Sequence, residues 1–189
     1  MIIKNYNFSE KEISCVISDT GTNNYLWIGF KQNESGDCKL IKVSANNPLQ
    51  IYYTVEIETN EIKKFVVSGD YIYLALDDST LIAQKYLRSN PLAAPTDFSI
   101  PSGVEEAPVD ILADTYINFL IPGNESGKNA KIVRITTAGV LYETIDLSTI
   151  TNASSFTKVG DEFWVVTDTI PGTYIRVYFD VTWQYTVNS

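Results

Sequence analysis

Acidic side chains are the residues of this chain whose types and spacing come closest to a chemical site. The 189 residues include no histidine and only two cysteines, Cys15 and Cys38. Without histidine, neither a Ser-His-Asp nor a Cys-His arrangement can be assembled, and a zinc site would lack ligands. Catalysis would have to rest on carboxylates, tyrosines or lysines.

Two pairs of adjacent acids, Asp77-Asp78 and Glu105-Glu106, are candidates for a carboxylate-based glycosidase. Such an enzyme needs two carboxylates about 5 to 10 Å apart across the scissile bond. Adjacent residues in one segment do not define that geometry, so solvated loop charges are the simpler interpretation. We therefore predict no catalytic residue.

Four aspartates recur at intervals of 51, 44 and 47 residues, namely Asp19, Asp70, Asp114 and Asp161. One interpretation is a ring of carboxylates that binds a cation. The other is turn chemistry, because Gly69-Asp70 and Gly160-Asp161 are dipeptides typical of hairpins. We favour turns, and expect neither a metal nor a cofactor.

Each aspartate ends the first strand of a repeated unit. Aromatic-rich second strands follow, at 25–30, 71–76, 116–121 and 162–167. A third and a fourth strand complete each unit, and the unit boundaries fall at about 13–62, 63–106, 107–152 and 153–189. The second strands are apolar on both faces, so both faces need cover. The sequence predicts one all-β domain, 1–189, with four four-stranded antiparallel units.

The length and strand number of these units resemble the blades of β-propellers such as the WD40-like and kelch-like proteins. The Trp-Asp signature, the kelch double glycine and the Asp-Ala-Ala of the four-bladed haemopexin-like proteins do not occur. The resemblance implies a four-bladed β-propeller, with a β-sandwich or a tail-fibre-like β-domain as the alternative. Residues 1–12 predict an extra N-terminal strand, which either closes the ring or pairs with a neighbouring subunit.

The two cysteines fall on the first and third strands of the first unit. Strands separated by one neighbour lie about 9 to 10 Å apart, whereas a disulfide needs Cα atoms within about 7 Å. A Cys15–Cys38 bridge would therefore contradict the strand order, and we predict two thiols. Trp27 and Trp164 fall on second strands, which predicts core packing.

The tetrapeptide NESG occurs twice, beginning at Asn33 and at Asn124, each time between a second and a third strand. Asparagine caps such turns and glycine accepts a positive φ, so we interpret both copies as turns. Trp183 and Tyr185 have polar neighbours near the C-terminus. The possible partner-contact residues are Asn33, Glu34, Ser35, Asn124, Glu125, Ser126, Trp183 and Tyr185.

The charge argues against two classes of partner. The net charge is -9 and the pI is about 4.5, which disfavours binding to nucleic acid or insertion into an anionic membrane. No apolar run reaches about 18 residues, and the N-terminus lacks the features of a signal peptide. We expect synthesis in the cytoplasm without export.

These observations predict a non-enzymatic structural or adhesion component of a larger assembly. The acidic, β-rich composition resembles small bacteriophage virion proteins of tails, fibres or portal-vertex rings. That resemblance implies a location in the virion, other structural proteins as partners, and a homo-oligomer. The alternatives are a lectin-like propeller that binds a surface glycan and a carboxylate-based glycosidase.

Overall fold

The computed structural model describes residues 13–19, 24–31, 38–47, 50–57, 61–124, 128–148, 150–168, 173–180 and 182–188. These residues contain sixteen strands and no helix. The strands are β1 (Ile13–Asp19), β2 (Tyr25–Phe30), β3 (Cys38–Ser44), β4 (Ile51–Ile57), β5 (Ile62–Ser68), β6 (Tyr71–Leu76), β7 (Leu81–Leu87), β8 (Thr96–Ser99), β9 (Asp110–Ala113), β10 (Ile117–Ile121), β11 (Ala130–Ile135), β12 (Leu141–Leu147), β13 (Ala153–Val159), β14 (Glu162–Thr167), β15 (Tyr174–Asp180) and β16 (Thr182–Asn188).

Four consecutive strands form each sheet, in the orders β1–β4, β5–β8, β9–β12 and β13–β16. All pairings within the sheets are antiparallel. The prediction of an all-β chain with four four-stranded antiparallel units is confirmed. We number the sheets first to fourth in chain order.

The sheets stack through their first strands, with β1 against β5, β5 against β9 and β9 against β13. This gives the propeller-like arrangement that the repeat predicted. Within the described part of the chain, β13 makes no comparable contact with β1. The predicted extra strand in 1–12 lies outside the described residues.

Three apolar layers fill the spaces between neighbouring sheets. The layer between the first and second sheets includes Trp27 and Leu74. The layer between the second and third sheets includes Tyr73 and Phe119, and the layer between the third and fourth sheets includes Leu120 and Phe163. Each inner sheet is therefore buried on both faces, which explains why its second strand is a continuous apolar run.

Turn geometry corrects one detail of the predicted repeat. Asp70, Asp114 and Asp161 do not end their first strands. Asp114 follows the end of β9, and Asp70 and Asp161 each stand with the preceding glycine in a two-residue turn. Gly69 has φ 55° and Gly160 has φ 61°, a conformation that glycine adopts without steric cost. The turn interpretation is confirmed for these two aspartates.

The two cysteines form no disulfide. Cys15 lies on β1 and Cys38 on β3, with β2 between them, so the predicted strand order holds. The buried Cys38 thiol donates to the carbonyl oxygen of Ile57 at 3.6 Å. Burial raises the pKa of the Cys15 thiol.

Candidate functional site

Asp19, which the turn interpretation covered, instead joins the first two sheets. It is buried, and its Oδ2 accepts a hydrogen bond from Trp27 Nε1 at 3.1 Å. Lys42 Nζ lies 3.1 Å from the same oxygen, and the guanidinium of Arg88 on the second sheet pairs with Oδ1. The turn prediction is thus incomplete here, because a buried carboxylate needs charged partners.

Asp114 joins the third and fourth sheets in a similar way. Its carboxylate pairs with Lys158 and accepts hydrogen bonds from the Tyr116 N–H at 2.7 Å and from Asn118 Nδ2 at 3.1 Å. Burial raises the pKa of Asp114, but the bonds from Lys158, Tyr116 and Asn118 outweigh it, so the net shift is downward. The described residues contain no group of three or more acids and cysteines placed to hold a metal.

A fifth aspartate, Asp110, connects three sheets. Its Oδ1 lies 3.1 Å from Lys64 Nζ of the second sheet. Its Oδ2 accepts from Ser155 Oγ at 2.8 Å and from the Phe156 N–H at 3.1 Å, both on the fourth sheet. Sequence reasoning did not single out Asp110, although an acid inside the apolar run VDILAD was a visible signal.

The first acid pair is held by a local turn. Asp78 Oδ1 accepts hydrogen bonds from the Thr80 N–H at 2.7 Å and the Leu81 N–H at 2.9 Å. The Thr80 N–H contributes most to lowering the pKa of Asp78. Asp77 forms an ion pair with Lys63 at 2.9 Å. The two carboxylates therefore serve different local contacts.

The second acid pair lines a cavity of about 240 Å³ that Lys128 and Lys131 also line. Glu105 lies 2.7 Å from Lys128 Nζ, and Glu106 accepts a hydrogen bond from the side-chain amide of Asn124. Glu105 therefore has a lysine partner whereas Glu106 has an amide partner, so the two acids make different contacts at this cavity.

Asn124 begins the second NESG copy and lies between β10 and β11, where the sequence predicted it. Its N–H donates to the carbonyl oxygen of Lys128 at 2.9 Å, and the turn prediction for the copy itself falls on residues outside the described part. The remaining predicted contact residues of both copies, Asn33, Glu34, Ser35, Glu125 and Ser126, lie outside the described residues.

Trp183 lies on β16, and its side chain packs between the third and fourth sheets. Its Nε1 donates to Glu143 Oε2 at 2.8 Å, and its ring centroid is 5.9 Å from that of Phe163. Tyr185 pairs with Val177 in the β15–β16 register, and its side chain lies outside the described part.

A basic residue on the third strand covers a tyrosine in three of the four sheets. Lys42 Nζ lies 4.5 Å from the Tyr25 ring centroid, and Lys85 Nζ lies 4.8 Å from that of Tyr71. Arg134 lies 4.6 Å from the Tyr116 ring. Each of these tyrosines stands at or directly before the start of a second strand, so the cation–π pair repeats with the sheets.

The fourth sheet departs from this repeat because Glu162 stands where the other sheets have tyrosine. Arg176 Nε donates to Glu162 Oε2 at 2.8 Å, and the hydrogen bond from Arg176 lowers the pKa of Glu162. The spacing of the four basic residues was visible in the sequence, but sequence reasoning did not use it.

Exposed tyrosines accompany two of these pairs. Tyr52 is 43% exposed and meets the Tyr25 ring edge-on at 4.8 Å. Tyr142 is 55% exposed and stacks on Tyr116 at 4.2 Å. The first and third sheets therefore each present an aromatic pair beside a cation.

The fourth sheet also has a face that points away from the third sheet. On β14, Phe163 and Val165 are buried against the third sheet, whereas Trp164 and Val166 alternate to the opposite side. Val166 and Tyr174 are each 46% exposed. We call this side the outer face, and its residues are Thr157, Glu162, Trp164, Val166, Tyr174 and Arg176.

Trp164 contradicts the prediction that it packs in the core. Its ring is only partly buried and stacks on Tyr174 at 5.8 Å, and its buried Nε1 makes no hydrogen bond in the described part of the chain. In the other three sheets, the residue equivalent to Trp164 is the one that pairs in register with the basic residue of the third strand. These residues are Trp27, Tyr73 and Asn118. Those three are buried because another sheet follows theirs.

Val166 shows the same difference two residues later. Its equivalents on the second and third sheets, Ala75 and Leu120, are fully buried by the sheet that follows. The outer face therefore carries apolar residues at the positions of a sheet-to-sheet contact, with no following sheet among the described residues. Its half-exposed apolar side chains make the outer face a candidate binding surface.

The fold and its repeats define a propeller-like repeat protein, and a comparison of structures agrees at the level of fold. The crystal structure of Citrobacter koseri AztD matches with a TM-score of 0.50 and 13% identity, over 95% of this chain. The match covers 48% of the AztD chain, so this chain spans about half the length of that protein. At this identity the likeness concerns the fold alone.

No protein-family model matches the sequence, and no curated protein matches it. Among the described residues, no helix is long and apolar enough to cross a bilayer.

Proposed function

We propose that the chain is a non-enzymatic interaction module that contributes to a larger protein assembly. The observation that carries this proposal is the outer face of the fourth sheet. Val166 and Tyr174 are half exposed on this face, whereas the corresponding face of each preceding sheet is buried by the next sheet. Contiguous apolar surface of this kind marks sites of protein contact.

The placement of the acids supports the same proposal. Asp19, Asp110 and Asp114 hold neighbouring sheets together. Asp78 accepts hydrogen bonds within a turn, and Glu105 forms an ion pair with Lys128. Within the described chain, these candidates for acid–base chemistry therefore have structural partners. A location in a virion stays a prediction from the composition.

The proposal is tested by measuring the size of the assembly that contains the chain in its native host. We expect an affinity-tagged chain to elute, after mild lysis, in a complex much larger than the 21.1 kDa chain. Val166→Asp should reduce the size of that complex. Leu92→Asp is the matched control, because Leu92 is an exposed apolar residue of the second sheet's loop. Elution of the wild-type chain at the size of one or two copies would contradict the proposal.

Glycan binding is a second candidate, and the exposed aromatic pairs favour it. Tyr142 stacks on Tyr116 beside Arg134, and Tyr52 meets Tyr25 beside Lys42. A partly exposed aromatic ring with a polar group nearby offers a sugar both an apolar surface and a hydrogen-bond donor.

A saccharide panel and titration calorimetry test this candidate. If glycans bind at the tyrosine pairs, Tyr142→Ala should abolish or weaken the binding heat. Tyr174→Ala on the outer face should leave that heat unchanged. Absence of heat with every saccharide, at up to millimolar concentration, would exclude glycan binding.

A further inference from the structure

We infer that a second copy of this chain covers the outer face of the fourth sheet, face to face, about a twofold axis. The inference rests on the proposed function, since it names the partner of that interaction surface. It follows from four properties of the described residues, which are the repeated sheet contact, the state of the first sheet, the charge of the face, and its area.

The first property is the repetition of one kind of contact along the chain. Three times, apolar side chains of one sheet pack on those of the next. Facing sheets pack about 10 Å apart with interdigitated side chains. The outer face continues this series, with Trp164, Val166 and Tyr174 available for a fourth contact. The occupant that this surface fits is another β-sheet with an apolar face.

The second property concerns the opposite end of the series. On the first sheet, Ile28, Phe30, Ile41 and Val43 lie on the side away from the second sheet, and all four are buried. A head-to-tail contact would need that side to be open. A contact that uses the same face on both copies needs only the outer face. Such isologous contacts generate twofold dimers, the commonest symmetry of homo-oligomers.

The third property is charge. A chain with a net charge of -9 repels its own copies over most of its surface. On the outer face, however, Glu162 and Arg176 pair with each other at 2.8 Å and cancel. If the strands of the two copies run in opposite directions across the twofold axis, Glu162 of one copy lies near Arg176 of the other. The outer face is therefore a place where two copies can meet with little repulsion.

The fourth property is area. Strands of six or seven residues are about 20 Å long, and four of them are about 19 Å wide, which gives roughly 400 Å² of projected face per copy. Two copies would then bury about 800 Å² in total, which is below the standard size of specific interfaces and in the range of weak, transient contacts. We therefore expect a concentration-dependent dimer, with a Kd on the order of tens of micromolar.

Sedimentation equilibrium of the purified chain tests the inference, from about 0.5 to about 500 µM protein. The weight-average mass should rise with concentration from 21.1 kDa towards twice that value. Val166→Asp should raise the dimer Kd by more than about tenfold, because it buries an unpaired charge. Leu92→Asp should dimerise like the wild type, and circular dichroism checks that both variants fold. A wild-type chain of constant mass, or a dimer that Val166→Asp does not weaken, would overturn the inference.

A mixing experiment tests the face-to-face geometry. Labelled Val166→Asp is titrated with unlabelled wild type and followed by fluorescence anisotropy. In an isologous dimer, the mixed pair contains one substituted face and should bind more weakly than two wild-type copies. In a head-to-tail pair, the wild-type outer face would meet the unchanged first sheet of the variant. Wild-type affinity in the mixture would therefore overturn the twofold arrangement.

The two proposals fail in different ways. If the purified chain stays monomeric while Val166→Asp still reduces the large complex in the host, the interaction module stands and the second copy is wrong as the partner. If the purified chain dimerises through the outer face but no large complex exists in the host, the dimer stands and the assembly role is wrong.

Discussion

Val165 and Val166 allow a direct comparison of the two faces of the fourth sheet. They are neighbours on β14, they are the same residue type, and the same substitution can be made at both. Val165 is fully buried against the third sheet, whereas Val166 is 46% exposed on the outer face. Replacement by alanine changes strand propensity equally at both positions, so the difference in the free energy of unfolding reports burial.

The magnitude for Val165→Ala follows from the side-chain atoms removed. Two methyl-sized groups lose about 0.8 kcal/mol each when they are fully buried, and the cavity left behind adds about 1 kcal/mol. We expect a loss of about 2 to 3 kcal/mol for Val165→Ala. For Val166→Ala we expect about 0.5 kcal/mol, the usual size of a surface substitution.

Urea denaturation, followed by far-UV circular dichroism at a protein concentration of about 1 µM, measures both losses. At this concentration the proposed dimer is largely dissociated. In thermal unfolding, the losses correspond to a Tm lower by about 4 to 12 °C for Val165→Ala and by about 1 to 2 °C for Val166→Ala. Equal losses at the two positions would mean that the outer face is already covered within one chain, which would refute the reasoning.

Three further predictions concern the contacts between sheets. The lowered pKa of Asp114 means that its hydrogen bonds and ion pair stabilise the fold fully above the ordinary carboxyl pKa of about 3.9, and that this stabilisation is lost as the pH falls through the lower, folded-state pKa. Asp114→Asn should therefore cost about 1 to 3 kcal/mol at pH 7 and should flatten the acid side of a plot of stability against pH. An unchanged acid side would contradict the contact between Asp114 and the fourth sheet. Gly29→Ala should cost about 1 to 3 kcal/mol, since its Cβ would lie 3.0 Å from Ser14 Oγ and 3.2 Å from the Phe65 ring; a neutral result in urea denaturation would mean that these two side chains shift to make room. A thiol reagent should find two thiols after unfolding and should react slowly with Cys15 in the folded chain, because burial raises the pKa of that thiol; a count of zero thiols in the unfolded, unreduced chain would indicate a Cys15–Cys38 bridge.

Strand positions were predictable because the local signals agree with one another. The second strand YIYLAL has the predicted bounds, Tyr71–Leu76, since a short, aromatic-rich apolar run between turn residues favours a strand buried on both faces. The dipeptides Gly69-Asp70 and Gly160-Asp161 fix the turns before the second and fourth of these strands.

Contacts between sheets were less predictable because they join residues far apart in the chain. Asp110 and Ser155 are separated by 45 positions, and no local pattern indicates their contact. Asp19 and Arg88 are a similar case. Residue types identified acids and bases, but only the stacking of the sheets decides which of them meet.

Trp164 illustrates the limit most clearly. Its strand has the same apolar character as the other second strands, so the sequence predicts burial. Burial, however, depends on whether another sheet follows, and the strand pattern carries no information about that. The candidate site was missed for this reason, because Trp164 and Val166 on the outer face are apolar like most of their buried equivalents and differ from them in their surroundings.

Hydroxyl-radical footprinting of the wild-type chain, read by mass spectrometry, tests most directly whether the outer face is the interaction surface. The chain is labelled at about 0.5 µM and at several hundred micromolar, on either side of the expected Kd. Tyr174 should become several-fold less reactive at the higher concentration, while Tyr142, which is also exposed but lies on the third sheet, keeps its reactivity. Equal labelling of Tyr174 at both concentrations, or equal protection of both tyrosines, would contradict the account.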